Sequence, residues 1–380
     1  MGFAGGLPEK MNETEAHIAL QIISGLGRIT HKRLVKKFGS ALEVWENRHE
    51  LECLTWVPEN VYSAIMAGPA MDVVDRIVKR MDGLAGWIMV WGDEDYPPRL
   101  AGIYDPPFVI YGIGSREALS MDAVAMVGSR KATGYGRQAA ERLASGLSEH
   151  GIAVVSGLAI GIDAAAHSAA VSSGGVTVAV KGCGLDIPYP RSNMKLAESI
   201  VERGAIISEF PAGTEPEPRN FPVRNRIISG LSLGVVVVEA AEKSGSLITA
   251  SMAVEHGREI MAVPGSIFSP MSRGVHWLAR QGAVLVASVD DVLECIKGIE
   301  PFVSGSGVAT AVRPDGLSLS GRSFTDEERI VLDALSDYPL HIDDLASVCN
   351  MSIVDVSALL VQLELDDVVR AMPGQMYSLA

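Results

Sequence analysis

The stretch Phe221-Pro222-Val223-Arg224-Asn225-Arg226 sets two guanidinium groups around an asparagine amide. Guanidinium is a planar fork of donors that fits phosphate oxygens, and an asparagine amide can hold a base edge. The proline stiffens the entry, and an apolar helix is expected to start directly after Arg226. A helix start carries unpaired N–H groups and a partial positive charge, so cations placed there make a seat for an anion. Other segments have the same character. Gly128-Ser129-Arg130-Lys131 joins a turn glycine to two cations, and Lys181 opens a loop with Gly182 and Gly184. Arg191 and Asn193 begin another helix behind Tyr189-Pro190, and Ser244-Gly245-Ser246 surrounds a further helix start. These thirteen positions (Gly128, Ser129, Arg130, Lys131, Lys181, Arg191, Asn193, Arg224, Asn225, Arg226, Ser244, Gly245, Ser246) are the candidate binding residues, with Lys243 beside them and Tyr189 as a face for base stacking. Several separated cationic seats suit a ligand with phosphates in a row, whereas one dinucleotide needs one seat.

Other chemistries fit less well. Gly134-Tyr135-Gly136-Arg137-Gln138-Ala139 matches a loose dinucleotide fingerprint, but its first glycine lies six residues past Gly128. The acidic residue expected after the second strand is missing as well, so no dinucleotide cofactor is expected. Asp163 and His167 stand four apart on one helix face, with no nucleophile or metal-ligand spacing beside them. They read as an aspartate that holds loop N–H groups and a histidine packed beneath it. Cys53, Cys183, Cys295 and Cys349 are scattered without a CxxC, which predicts reduced thiols in a cytoplasmic protein and no metal site.

The elements that must position these groups are legible in the apolar pattern. From Ala123 onward, six short β-branched runs alternate with helical stretches: AVAMVG, GIAVVSG, VTVAVKG, GAIISE, GVVVVEA and REIMAVPG. Continuous apolar strands alternating with helices predict a parallel sheet covered on both faces, a doubly wound Rossmann-like α/β core over 86–300. Ligands then gather outside the carboxyl ends of the strands, where all the candidate loops lie. Before it, residues 1–85 read as helices broken at Gly25-Leu26-Gly27 and at Phe38-Gly39-Ser40, a helix-hairpin-helix pattern or a structural turn between packed helices. Pro97-Pro98 and Pro106-Pro107 mark an extended connection. Residues 301–322, rich in Gly and Ser, read as a linker. Residues 323–380 read as a winged-helix-like domain whose first helix is capped by Thr325 or Ser323.

Charge is unevenly spread over this plan. The chain carries a formal charge of −14. Residues 322–380 hold 3 basic and 11 acidic residues, while residues 121–298 hold 16 and 17. The overall acidity therefore says little against an anionic ligand in the middle of the chain. The expected second helix of the terminal domain, Ser352 to Leu365, has no lysine or arginine, so a protein contact or a structural role fits it better than DNA. No apolar run reaches the length of a membrane span, and no signal peptide is expected.

MVGSRKATGYG, VVSGLAIGIDAAAH, YPRSN, ISEFPAGTEPEPRNFPVRNRIISGLS, VVVVEAAEKSGSLITASMAVEHGREIMAVPG and LARQGA follow one another in that order. Together they resemble the DNA-processing protein A family, DprA or Smf, over roughly Gly92 to Val286. The resemblance implies a cytoplasmic protein that binds single-stranded DNA without sequence preference, protects incoming DNA in natural transformation and helps load the RecA recombinase. It implies a homodimer through the Rossmann domain, an N-terminal SAM-like or helix-hairpin-helix domain, a C-terminal winged helix, and no catalytic activity. It maps DNA contacts onto Arg130, Arg191, Arg224, Asn225, Arg226 and Ser244 to Ser246. The chain departs from the family at Arg273-Gly274-Val275-His276-Trp277-Leu278, where an asparagine is usual and His276 stands nearby. The alternative is a nucleotide-binding Rossmann enzyme resembling nucleoside monophosphate hydrolases. It would need Glu239 or Glu255 as its carboxylate, and it lacks that family's Gly-Gly-x-Gly-Thr loop.

Overall fold

Each of the six β-branched runs forms a strand, because a run without polar alternation can be buried on both faces. The computed structural model describes residues 11–297 and, towards the C-terminus, 325, 328, 331–332, 334–335, 340–349, 351–365, 368–372 and 376–379. The expected linker, 301–322, and the candidate cap Ser323 lie outside the described residues. The chain divides into two units, 1–304 and 305–380.

The first unit opens with five helices: α1 (Glu13–Gln21), α2 (Arg28–Phe38), α3 (Ala41–Glu46), α4 (Glu59–Met66) and α5 (Met71–Gly83). Asn12 and Glu15 close a capping box on α1, which fixes where it starts. The break predicted at Gly25–Gly27 lies in the turn between α1 and α2, and the one at Gly39 is where α2 ends. Then follow β1 (Trp87–Val90), α6 (Pro98–Ala101), β2 (Val109–Gly114), β3 (Ala123–Val127), α7 (Gly134–Glu149), β4 (Ala153–Ser156), α8 (Ile162–Ser172) and β5 (Thr177–Lys181). After these come α9 (Met194–Val201), β6 (Ala205–Ser208), α10 (Asn220–Leu231), β7 (Gly234–Val237), α11 (Gly245–Glu255), β8 (Glu259–Ala262), α12 (Arg273–Arg280), β9 (Val284–Leu285) and α13 (Val289–Ile296).

The nine strands form one sheet in the order β1-β2-β6-β5-β4-β3-β7-β8-β9. It is parallel from β6 to β9, and β2 joins β6 antiparallel with Tyr111 opposite Ser208. The segment expected as an extended connection thus holds α6 and β2, and β1 directly precedes it. Strand order reverses between β3 and β7, the switch point of a doubly wound sheet. One face packs under α10, α11 and α12 through residues such as Ile227, Ala250 and Val275; the other packs under α7, α8 and α13 through Leu143, Ala166 and Val292. The N-terminal helices share a core with β1, β2 and α9, in which Trp45 and Ile18 meet Tyr111 and Ile200.

The second unit has helices Ile342–Cys349 and Ile353–Leu365 and an antiparallel sheet of three strands, β10 (Leu340–His341), β11 (Val369–Met372) and β12 (Met376–Leu379), with β12 in the middle. Leu345, Val356, Leu360 and Val369 fill its core. Thr325 exchanges N-cap hydrogen bonds with Glu328. Among the described residues, no helix is long and apolar enough to cross a membrane.

Candidate nucleic-acid interface

The loops after β3 and β7 part at the switch point and leave a cleft of 620 Å³ roofed by α10. Gly128, Ser129, Arg130 and Lys131 line it from β3, Arg224 and Asn225 from α10, and Ser244, Gly245 and Ser246 from the start of α11. Nine of the thirteen expected residues therefore meet in one place. Arg130 and Lys131 are exposed, and the guanidinium of Arg130 lies 5.3 Å above the ring of Phe221. Phe221 also lies 5.5 Å from Tyr189, so a cation and two aromatic faces share the cleft wall. Phe221 was not singled out in the sequence. Its spacing of three from Arg224 on a helix was the available signal.

Both helix starts are held ready. Thr133 caps α7, and its N–H and hydroxyl donate to the buried carboxylate of Glu239 at 2.9 and 2.6 Å. Ser244 caps α11 by accepting from the Ser246 N–H at 3.3 Å. With eleven residues, α11 sends its N-terminal N–H groups toward the cleft.

Arg224 is the unusual group. It is 4% exposed, and its Nε and Nη1 are buried with no hydrogen-bond partner among the described residues. Burial pulls it down to about 10; the Asp163 carboxylate acts against this and the nearby Arg130 adds to it. Asp163 is tied down by the N–H groups of Gly157 and Ala159 at 3.1 and 3.3 Å. A Cβ at Gly157 would collide with the Arg224 guanidinium, so only glycine leaves room for it. Arg224 thus brings to the cleft wall a guanidinium with two donors that no described residue uses.

Asp163 and His167 have the roles expected of them. The Thr177 hydroxyl donates to Val154 O at 2.6 Å, so it must accept from His167 Nδ1, also at 2.6 Å. That bond places a proton on Nδ1, and burial lowers the imidazole from 6.5 to about 3, which keeps it neutral near pH 7. The same cause lowers His256 to about 4 and His31 well below its usual value. Between pH 6.5 and those values the unfolded chain takes up protons that the folded chain refuses, so stability falls as pH drops through that window. The slope approaches about 1.4 kcal/mol per pH unit for each histidine. Urea midpoints measured from pH 7 to pH 5 are expected to fall steeply, and His167→Gln to flatten the slope by up to one proton. An unchanged slope in that variant refutes the burial argument.

The remaining expected residues are placed otherwise. The helix behind the quoted motif starts at Asn220, not after Arg226, with Pro222 in its first turn. Arg224 and Arg226 are thus two apart on a helix, about 200° around its axis, and diverge. Arg226 donates to Glu209 Oε2 at 2.5 Å and to Asp105 Oδ2 at 3.0 Å on the far side of α10. Lys181 is buried beside the cleft, its ammonium on Leu185 O and Ile187 O at 3.3 and 2.6 Å. Asn193 is buried too and donates to Leu158 O, tying two rim loops together. These three side chains are engaged with the protein itself and do not line the 620 Å³ cleft. Arg191 is exposed on the same rim but does not line the cleft.

The profile of the DNA recombination-mediator protein A family matches residues 87–297, and that of the DprA winged helix domain matches 317–375. Protein Smf of Escherichia coli is 40% identical over 282 residues, 74% of each chain. DNA processing protein DprA of Streptococcus pneumoniae is 46% identical over 201 residues, 53% of this chain and 71% of the relative. The X-ray structure of DprA from Streptococcus pneumoniae superposes with a TM-score of 0.66 at 35% identity, covering 75% of this chain and 98% of that one. DprA from Helicobacter pylori, whose structure is described for its single-stranded DNA binding mode, superposes with a TM-score of 0.51 at 28% identity, covering 56% and 96%.

Proposed function

The chain belongs to the DNA recombination-mediator protein A family, and from that premise we propose that its cleft at the β3–β7 switch point holds the backbone of single-stranded DNA. The observation that carries this reading is Arg224, buried at the cleft with unpartnered donors. Around it, Arg130 and Lys131 supply exposed positive charge, the α11 start supplies N–H donors, and Phe221 and Tyr189 supply stacking faces that accept any base. Gly128, Ser129, Asn225 and Ser244 to Ser246 complete the contacts, with Arg191 flanking them on the rim.

In this reading the protein is a cytoplasmic homodimer joined through its sheet domain. It protects incoming strands and passes them to a RecA-type recombinase during transformation. Its working parts are the helical segment 1–85, the sheet domain 86–300, the connecting 301–322 and the terminal winged helix 323–380. It acts by binding rather than by catalysis. In support of that, Glu239 is engaged by Thr133, and Glu255 is exposed in the last turn of α11, away from the helix start that faces the cleft.

Binding of single-stranded and duplex oligonucleotides across a salt series tests the proposal. Single strands should bind more tightly, with a steep loss of affinity as salt rises. Arg130→Ser should weaken all single-strand sequences alike and lower the log–log salt slope by about 0.7. Tighter duplex binding, or an affinity indifferent to salt, would sink the reading.

A further inference from the structure

We propose that α2 carries a second contact for the phosphate backbone of the same single strand, after it leaves the cleft. This rests on the single-strand reading and extends it to a surface that the cleft does not include. In a chain of net charge −14, the eleven residues of α2 hold Arg28, Lys32, Arg33, Lys36 and Lys37 and no acid. Arg33, Lys36 and Lys37 are exposed, and Lys32 is half-buried. Arg28 pairs with Asp105 and Glu209. Among the described residues, no carboxylate comes within ion-pair reach of the other four, whose contacts are of another kind. Lys32 sits on Tyr104 O at 2.6 Å, and its ammonium is 5.7 Å from the Tyr104 ring, itself 66% exposed. Arg33 lies 5.9 Å from the ring of Trp56. Cations interleaved with aromatic faces are the surface that single-strand binders present. Burial and the charge of Lys36 both lower Lys32, with Asp105 acting the other way, so an arriving phosphate relieves repulsion already present.

The patch is also in the right place. Arg28 and Arg226 share the Asp105 carboxylate at 3.2 and 3.0 Å, which sets the first turn of α2 against the helix that carries Arg224. His31 stacks on Phe108 at 4.1 Å, directly before β2, whose start is level with the carboxyl end of β6. The anchor of α2 is therefore on the same rim as the cleft. Four strand spacings separate β2 from β3, about 19 Å, a gap that a few nucleotides cross.

The test compares Arg33→Ser/Lys36→Ser/Lys37→Ser with the parent on single strands of about 6 and about 30 nucleotides, below and above the footprint of the cleft alone. On the long strand the log–log salt slope should fall by about 2, with roughly a tenfold loss at low salt; on the short strand it should not change. Lys79→Ser/Arg142→Ser/Arg203→Ser removes equal charge elsewhere and should leave both unchanged. A parent-like slope for the α2 variant on the long strand overturns the proposal. So does an equal loss on both lengths, an equal loss in the control, or a loss confined to duplex DNA. Should the triple variant melt early, Lys36→Ser/Lys37→Ser answers the same question with an expected slope change of about 1.4. If the parent itself binds no single strand, the cleft reading fails instead, and the two failures are told apart.

Discussion

Arg224→Met is expected to cost single-strand affinity by about 30-fold to several thousandfold while leaving the urea midpoint close to that of the parent. The size follows from removing a desolvated charged partner, which weakens binding by roughly 2–5 kcal/mol. The small stability effect follows from what Arg224 lacks. Its Nε and Nη1 have no hydrogen-bond partner among the described residues, so the folded chain already bears their desolvation. Methionine removes that burden along with the attraction to Asp163, and the two changes oppose each other. Asp163 keeps its bonds from Gly157 and Ala159. Arg224→Lys keeps the charge but loses the planar fork, so its affinity should lie between the other two. Equal binding by the parent and the methionine variant, in anisotropy titrations at low salt, refutes the site.

Arg226→Met should show the reverse pattern. Burial lowers this guanidinium, but Glu209 and Asp105 more than offset that and hold it above its usual value. Removing it leaves the buried Glu209, 7% exposed, with the part-exposed Arg28 at 3.7 Å as its remaining ion-pair partner among the described residues. Breaking a buried pair from one side destabilises by about 3–5 kcal/mol. The urea midpoint should drop sharply, and Arg226→Met/Glu209→Leu should recover much of the loss, since an apolar pair of similar volume fills the space without a stranded charge. Under conditions where Arg226→Met is folded, its affinity for single strands should stay within a few-fold of the parent. If this variant instead loses binding with its stability intact, the assignments of the two arginines must be exchanged.

This division of labour shows where one-dimensional reading stops. Val124 to Val127, Val154 to Ser156 and Val235 to Val237 were recognisable as interior strands because burial on both faces requires unbroken apolar runs. The glycine-led loops that follow were recognisable because a chain leaving a parallel strand must turn at once, as at Gly128. The strands β1 and β2 escaped notice, since prolines lie between them and β2 joins the sheet through β6, far along the chain.

The amino-acid order alone thus determined the alternation of strands and helices, the rim on which cations gather and the family motifs strung along it. These are local properties, set by burial pattern and turn chemistry. The tertiary structure decided which cation faces the cleft. Arg224 and Arg226 look equivalent in the sequence, but the start of α10 at Asn220 sets the helical phase that turns them apart. Asp105, 121 residues before Arg226, then claims the second. Side-chain direction depends on helix phase and on partners distant in the chain, and neither is written in the residues beside it.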